Sequence, residues 1–179
     1  MNHRLIKVIT DLASDIFTVD LFQGMTDIPP FDPDLDGMDP PIPVFKLRSF
    51  LRQADGILIC TPEYAAGVPG TLKNALDWTV SSMELSRKPI ALITAATSGQ
   101  KAHQYLLGTL LILEAMLTND TQLVIPFVKT KVSAENRITD DQTLANVRNL
   151  IQAFNELMRA KAAGIIPESI LLNEGLPLL

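Results

Sequence analysis

The sequence predicts a three-layer α/β fold built on a mostly parallel sheet. Three short, mostly apolar runs predict strands that are buried on both faces, because such runs are too short for helices; they span 57–60, 90–93 and 122–125. Longer stretches between them carry apolar residues three and four positions apart, which is the spacing of amphipathic helices. Strands separated by helices imply crossover connections, and therefore parallel strands with helices on both faces of the sheet.

The remaining elements follow from the same patterns. The predicted helices cover 2–12, 44–51, 69–80, 101–117 and a last segment that runs from a cap at Thr139 or Asp140 to Met158. Two further extended segments are predicted at 16–22 and 128–132. Proline, aspartate and glycine crowd the stretch 24–43, which therefore predicts a long surface loop without regular structure.

Length and composition indicate one globular domain. The chain has 179 residues, of which 47% are hydrophobic and 20% are charged, so it can bury one substantial core but has no room for a second domain of ordinary size. We place the domain at 1–163 and a C-terminal tail at 164–179. The tail is apolar, so we consider two interpretations equally: it packs across a subunit interface, or it is a disordered end.

Charge and cysteine content exclude several classes of function. A net charge of −5 without any cluster of Lys or Arg argues against a nucleic acid or an anionic membrane as partner. The single Cys60 cannot form an internal disulfide, and no signal peptide or membrane span is evident, so we expect a cytoplasmic protein. His3 and His103 lie far apart and lack neighbouring ligand residues, so no metal site is predicted.

The most informative segment is 61–78, which reads TPEYAAGVPGTLKNALDW. It places a polar and aromatic loop between a predicted strand and a predicted helix, where open α/β sheets bind ligands. The segment resembles the PEYN…PG.LKNA.DW signature of the NADPH-dependent FMN reductase family and matches it in order and spacing at most positions. The resemblance implies a flavodoxin-like fold, an FMN cofactor, NAD(P)H as electron donor, and assembly as a homodimer or homotetramer.

Two loops are candidates for holding the flavin ring. Both follow neighbouring predicted strands, so they meet at the carboxyl edge of the sheet. The first corresponds to the PEYN loop of the family, and the resemblance implies that it lies against the flavin; its candidate residues are Pro62, Glu63, Tyr64 and Ala65, the last standing where the family usually has Asn. The second offers small side chains and N–H groups at the start of a helix, which favour negative charge on the ring; its candidates are Ala95, Ala96, Thr97, Ser98 and Gly99.

No catalytic acid or base is predicted, because a flavin performs the electron chemistry and the protein supplies position and electrostatics. Cys60 has no base or cation near it in the sequence, so we interpret it as a buried, inert thiol. Trp78 and Asn74 lie on the signature helix; we expect Trp78 to pack, in the core or at a dimer contact, and Asn74 to lie on a solvated or interface face.

One part of the family pattern has no counterpart in this sequence. Family members begin with an apolar strand and a GS.R..S.N loop that cradles the FMN phosphate at a helix N-terminus, and only Asn2 matches, at the last position of that loop. Segment 5–9 could replace the strand, but the first crossover helix would then be too short, so we favour a helix there. The predicted fold is therefore a three-layer, flavodoxin-like parallel sheet with its usual first strand missing.

Two functional hypotheses remain open at this point. The first is an FMN-dependent NAD(P)H oxidoreductase that transfers hydride to flavin and electrons on to a small-molecule acceptor: a quinone, an azo compound, free flavin or a metal oxyanion. The alternative is a non-catalytic, diverged or truncated flavodoxin-like module that no longer binds FMN. A hydrolase or nucleotide-binding protein of similar topology is less consistent with the motifs, although fold alone does not exclude it.

Overall fold

The computed structural model describes residues 2–165 and contains a three-stranded parallel sheet in the order β1-β2-β3. Strand β1 is Ile57–Thr61, β2 is Ile90–Ala95 and β3 is Gln122–Ile125. Ile57 pairs with Ile90, and Leu92 pairs with Gln122, so the strands are in parallel register throughout. All three strands lie where the apolar runs predicted them. The predicted domain boundary stays a prediction, because the tail beyond residue 165 lies outside the described residues.

Helices cover both faces of the sheet, as predicted. Helices α1 (Asn2–Ala13) and α6 (Asp141–Ala162) pack on one face, and α3 (Gly70–Asp77) and α4 (Gln100–Ile112) pack on the other, with α2 (Ile42–Gln53) beside α3. All six residues of β2 are buried, because this central strand is covered on both faces. Its side chains alternate: Ala91, Ile93 and Ala95 join the first core, and Ile90 and Leu92 join the second.

The start of the last helix confirms a sequence signal. Asp140 is the N-cap of α6, and its carboxylate accepts a hydrogen bond of 2.9 Å from the backbone N–H of Thr143. Such a cap satisfies one of the N–H groups that a helix leaves without an internal partner. None of the helices in the described residues is both long and apolar enough to cross a membrane.

The predicted strand at 16–22 is wrong. The segment forms a turn and then irregular chain after α1. In the flavodoxin-like order 2-1-3-4-5, the second strand pairs only with the first. Within residues 2–165 no strand lies beside the outer edge of β1, so segment 16–22 has no ladder to join. The segment contains residues that favour strands, but it does not form a strand because it has no neighbouring strand to pair with.

Other segments also differ from the predictions, beginning with α3, which ends at Asp77 rather than at 80. The predicted extended piece 128–132 contains a short helix, α5 (Val128–Lys131), because Val128 and Val132 lie four positions apart and both enter the core. Helix α4 ends at Ile112 rather than at 117. The chain turns at Glu114, which has a left-handed conformation, and Met116 then bonds through its N–H to the Lys88 carbonyl and through its carbonyl to the Ile90 N–H. The loop 24–43 includes a 3₁₀ turn at Pro33–Leu35, and α2 already begins inside it.

The signature helix α3 holds this long loop in place. Trp78, which is fully buried within the chain, donates from Nε1 to the carbonyl of Pro29 at 2.9 Å. Asn74 donates to the same carbonyl at 2.9 Å and accepts from the N–H of Phe31 at 2.8 Å. Asn74 is therefore half-buried and bonded to the loop rather than free on a solvated face, and the alternative of an interface face stays a prediction. The NALDW part of the signature is explained by packing and loop attachment.

Candidate active site at the carboxyl edge of the sheet

Three loops meet at the carboxyl edge of the sheet. They follow β1, β2 and β3, and parallel strands bring the ends of all three to the same side. The second and third loops are joined by backbone hydrogen bonds of 3.2 Å from Phe127 N to the carbonyl of Thr97 and from Val128 N to that of Ala96. The predicted site residues therefore lie next to a third loop that the sequence did not identify.

The first loop makes a tight turn that exposes an aromatic ring. Tyr64 and Gly67 exchange two backbone hydrogen bonds, of 2.8 and 2.9 Å. The two residues between them, Ala65 and Ala66, have φ values of 50° and 62°, as a type I′ turn requires. Tyr64 is 65% exposed, and Pro62, just before the turn, is half-buried. The turn presents the Tyr64 ring to solvent at the edge of the sheet.

Alanine is poorly suited to this turn, and the mismatch gives a testable prediction. A left-handed alanine is strained, whereas asparagine tolerates the conformation because its side chain can hydrogen-bond locally. We expect Ala65→Asn to raise the free energy of unfolding by about 0.5–1 kcal/mol, measured by urea denaturation. Ala134→Asn is the control, since Ala134 is also exposed but has no positive φ. Equal effects of the two substitutions would contradict the strain at Ala65.

Glu63 connects the first loop to the helix that follows the second. Its Oε2 accepts a hydrogen bond of 3.0 Å from the backbone N–H of Ala102, in the first turn of α4. A carboxylate at a helix N-terminus is stabilised by the helix dipole and by the N–H groups that lack internal partners. Glu63 thus fixes the spacing of the two loops. A direct contact of Glu63 with flavin stays a prediction.

The second loop exposes polar backbone through a conformation that requires glycine. Gly99 precedes α4 with a φ of 97°, and a Cβ at this position would lie 3.1 Å from Val124 Cγ1. Thr97 and Ser98 are exposed, whereas Ala95 and Ala96 are buried, so the alanines present only backbone to a ligand. Among the described residues, none accepts a hydrogen bond from the backbone N–H of Ser98 or Gly99. Ser98 is exposed, so its N–H group is available to a ligand, whereas Gly99 is buried.

Three polar side chains next to the second loop, those of Thr94, His103 and Gln122, form a hydrogen-bonded triad. His103 of α4 is 7% exposed and lies between the Thr94 hydroxyl, 2.9 Å from Nδ1, and Gln122 Oε1, 3.1 Å from Nε2. An amide oxygen only accepts, so Nε2 carries the proton and Nδ1 accepts from Thr94. Burial holds the pKa of His103 below its ordinary value of 6.5, although the hydrogen bond to Gln122 acts in the opposite direction. The ring is therefore neutral and structural at pH 7.

The thiol of Cys60 is held in its unreactive, protonated form. Burial raises its pKa to about 12, so the reactive thiolate is not populated at neutral pH. The free cysteine packs against the core formed by α1 and α6. This placement agrees with the interpretation of Cys60 as inert.

The N-terminus of α1 also points to the carboxyl edge. Phe17, just after α1, packs edge-on against Phe154 with ring centroids 5.7 Å apart. A Cβ at Gly56, which precedes β1, would lie 2.6 Å from Phe154 Cζ, so this end of α1 lies at the amino edge. The 12-residue helix spans about 18 Å, which places Asn2 toward the other edge. Asn2 Nδ2 is shielded from solvent, and no described residue accepts a hydrogen bond from it.

Comparisons with known proteins identify the family. The family model for NADPH-dependent FMN reductases matches residues 1–130. The chain belongs to the NADPH-dependent FMN reductase family. The quinone reductase of Escherichia coli K12 is 30% identical over 165 residues, which cover 88% of each chain. A 2-hydroxy-1,4-benzoquinone reductase from a Burkholderia species is 32% identical over 162 residues, 86% of this chain and 84% of its own.

A solved structure gives the same result. FerB from Paracoccus denitrificans, a flavoenzyme NAD(P)H:(acceptor) oxidoreductase, superimposes with a TM-score of 0.72 at 25% identity and covers 89% of this chain and 90% of its own. The flavodoxin-like fold predicted from the signature is confirmed. As a member of the FMN reductase family, the protein is an oxidoreductase with FMN as its cofactor and NAD(P)H as its electron donor.

The carboxyl edge of this FMN reductase offers hydrogen-bond donors of the kind that FMN requires. Its donors without partners among the described residues include the N–H groups of Ser98 and Gly99 and the side-chain amide of Asn2. Flavin carbonyl oxygens and a phosphate group are acceptors that such donors can satisfy. Tyr64 adds an exposed aromatic surface of the kind that packs against planar rings.

Proposed function

We propose that this FMN reductase binds FMN across the first and second loops and reduces a quinone with electrons from NAD(P)H. FMN, when bound, supplies the chemistry by taking up a hydride and releasing two electrons to an acceptor. The quinone takes up these two electrons and two protons to give a hydroquinone. The observation that carries the proposal is the convergence of an exposed Tyr64 turn and the Ser98 and Gly99 N–H groups at one sheet edge.

The protein side chains act by position. Tyr64, with Pro62 and Ala65 beside it, would contact one side of the flavin ring, and Glu63 would hold this loop against α4 through its bond to Ala102. The backbone of 95–99 would bond the other edge of the ring, where N–H groups stabilise developing negative charge. Asn2 would donate to the phosphate. No residue in this arrangement has to transfer a proton in the hydride step.

Quinones are the proposed acceptor class because two similar proteins are named as quinone reductases. Azo compounds, free flavin and metal oxyanions are compared in the same assay as the other acceptor classes. Because one edge would serve NAD(P)H and the acceptor in turn, we expect ping-pong kinetics.

We also propose that the protein assembles as a homodimer or homotetramer. Met38, Ile42 and Phe45 lie close together in the sequence and are 106%, 71% and 57% exposed. Large apolar side chains that cluster at a surface favour association. Light scattering after size exclusion measures the mass directly, and a monomer at micromolar concentration would contradict this part of the proposal.

The test of the proposed function is an FMN titration followed by reduction. We expect FMN fluorescence to be quenched on saturable binding with a Kd near micromolar, about −8 kcal/mol. Adding NADPH without oxygen should bleach the bound flavin, and a quinone should restore its colour. Riboflavin is the matched control ligand, because it has the same ring without the phosphate. A protein that binds neither flavin would support the alternative of a non-catalytic module.

A further inference from the structure

Phe127 is an exposed aromatic residue in a strained backbone conformation. It follows Pro126 at the end of β3, and its φ and ψ are 54° and 36°, in the left-handed region. Residues that carry a side chain, above all bulky ones, rarely adopt this region, because their Cβ lies too close to a carbonyl oxygen. The side chain is 62% exposed, so packing against the other described residues offers little to offset the strain.

The turn accounts for the backbone conformation of Phe127 but does not require its phenyl ring. The reversal allows Phe127 N to donate to Thr97 O and Val128 N to donate to Ala96 O, and it directs Val128 into the core. Each of these interactions uses only the backbone of Phe127. Glycine would make the same turn without strain. Within residues 2–165, the turn therefore does not require an aromatic side chain at position 127.

Phe127 lies next to the candidate site. Its N–H bonds the carbonyl of Thr97, so it lies directly beside the second loop at the carboxyl edge. Tyr64, on the first loop, is exposed on the opposite side of that second loop, since β2 lies between β1 and β3. Two exposed aromatic rings thus lie on either side of the proposed flavin-binding backbone. Strained residues persist where the strain serves a site.

We propose that Phe127 is a binding residue whose ring contacts the planar aromatic ligand at this edge, either the flavin ring or the quinone. The inference rests on the proposed function and extends it to the third loop. A phenyl ring packs favourably against a planar aromatic group, in stacked or edge-on geometry. The strain at Phe127 is then a stability penalty that is retained for ligand contact.

The test compares Phe127→Gly with Phe127→Tyr. We expect Phe127→Gly to raise the Tm by about 2–4 °C, because it relieves the strain. The same variant should weaken either the Kd for FMN, measured by fluorescence quenching, or the KM for a quinone by about 3- to 10-fold. A change in the FMN Kd assigns the contact to flavin, and a change in the quinone KM alone assigns it to the acceptor. Phe127→Tyr keeps the ring and should retain both values within about twofold.

Met83→Gly is the matched control. Met83 is also apolar, is 57% exposed and has a φ of 56°, but it lies near Pro89 and Asp55 at the amino edge. We expect it to raise the Tm without changing either ligand parameter. If Phe127→Gly raises the Tm and leaves both parameters unchanged, or lowers the Tm, the proposal fails while the proposed function stands. A wild-type protein that binds no flavin would overturn both.

Discussion

Gly99→Ala is expected to lower the free energy of unfolding by about 3 kcal/mol. Gly99 has a φ of 97°, which L-residues rarely adopt, so alanine there is strained. The added Cβ would also lie 3.1 Å from Val124 Cγ1 and 3.3 Å from Thr94 Cγ2, closer than ordinary van der Waals contact. Both atoms belong to side chains of strand residues, and Thr94 is also held by its hydrogen bond to His103, so these side chains or the loop must shift. Urea denaturation measures the loss.

The same substitution should affect the proposed site. The second loop must shift to accommodate the Cβ, which moves the N–H groups of Ser98 and Gly99 away from the ring edge that they are proposed to bond. We therefore expect the Kd for FMN to rise by about tenfold or more. Gly70→Ala is the control, since a Cβ at Gly70 meets no atom within 4 Å. Gly70→Ala should raise the free energy of unfolding by about 0.5–1 kcal/mol, because alanine lowers the conformational entropy of the unfolded chain. Similar losses in both variants would contradict the steric argument.

His103→Leu is expected to cost about 2–4 kcal/mol of stability at pH 7.5. The histidine bridges Thr94 and Gln122, and leucine leaves the Thr94 hydroxyl, which is fully buried, without its acceptor. His3→Leu is the control because His3 is exposed; it should change the free energy of unfolding by less than about 0.5 kcal/mol. If His103→Leu lowered the free energy of unfolding as little as His3→Leu does, the triad would not stabilise the fold.

The pH dependence gives an independent check of the same triad. Burial holds the pKa of His103 below 6.5, so between that lowered pKa and 6.5 the unfolded chain binds a proton that the native chain does not. The contribution of neutral His103 is fully present above pH 6.5, and it is lost as the pH falls from 6.5 through the lowered pKa. His103→Leu lacks this pH-dependent contribution to the free energy of unfolding. The difference in stability between wild type and His103→Leu should therefore narrow from pH 7.5 toward pH 5, and a constant difference would contradict a buried neutral ring.

Much of the fold could be predicted because it depends on local patterns. The apolar runs 57–60 and 90–93 predicted strands, and both became strands, although only β2 is buried along its whole length. Asp140 is a capping residue three positions before Thr143, and its carboxylate accepts a hydrogen bond from the Thr143 N–H. The signature also directed attention to both loops of the proposed site. The assignment of Pro62 to Ala65 and of 95–99 to flavin binding stays a prediction until FMN titration and the Gly99 variant test it.

The predictions failed where an element depends on a neighbour that is distant in the sequence. Segment 16–22 has the composition of a strand, but strand formation needs a partner ladder. Phe127, which we propose as a binding residue, was not predicted from the sequence, although its loop follows a strand as the other two candidate loops do. The sequence predicted only that His103 is not part of a metal site, and its hydrogen bonds to Thr94 and Gln122 depend on the packing of α4 against β2 and β3.

By itself, the sequence determined the parallel α/β class, the three strands of the sheet and the family signature, because buried runs, helical spacing and motif order are local properties of the chain. Only the tertiary structure decided that Glu63 bonds α4, that Asn74 and Trp78 attach the long loop, and that Phe127 turns beside Thr97. These contacts join residues that the chain separates but the sheet brings together. Their free energy depends on burial and geometry, which local sequence does not specify.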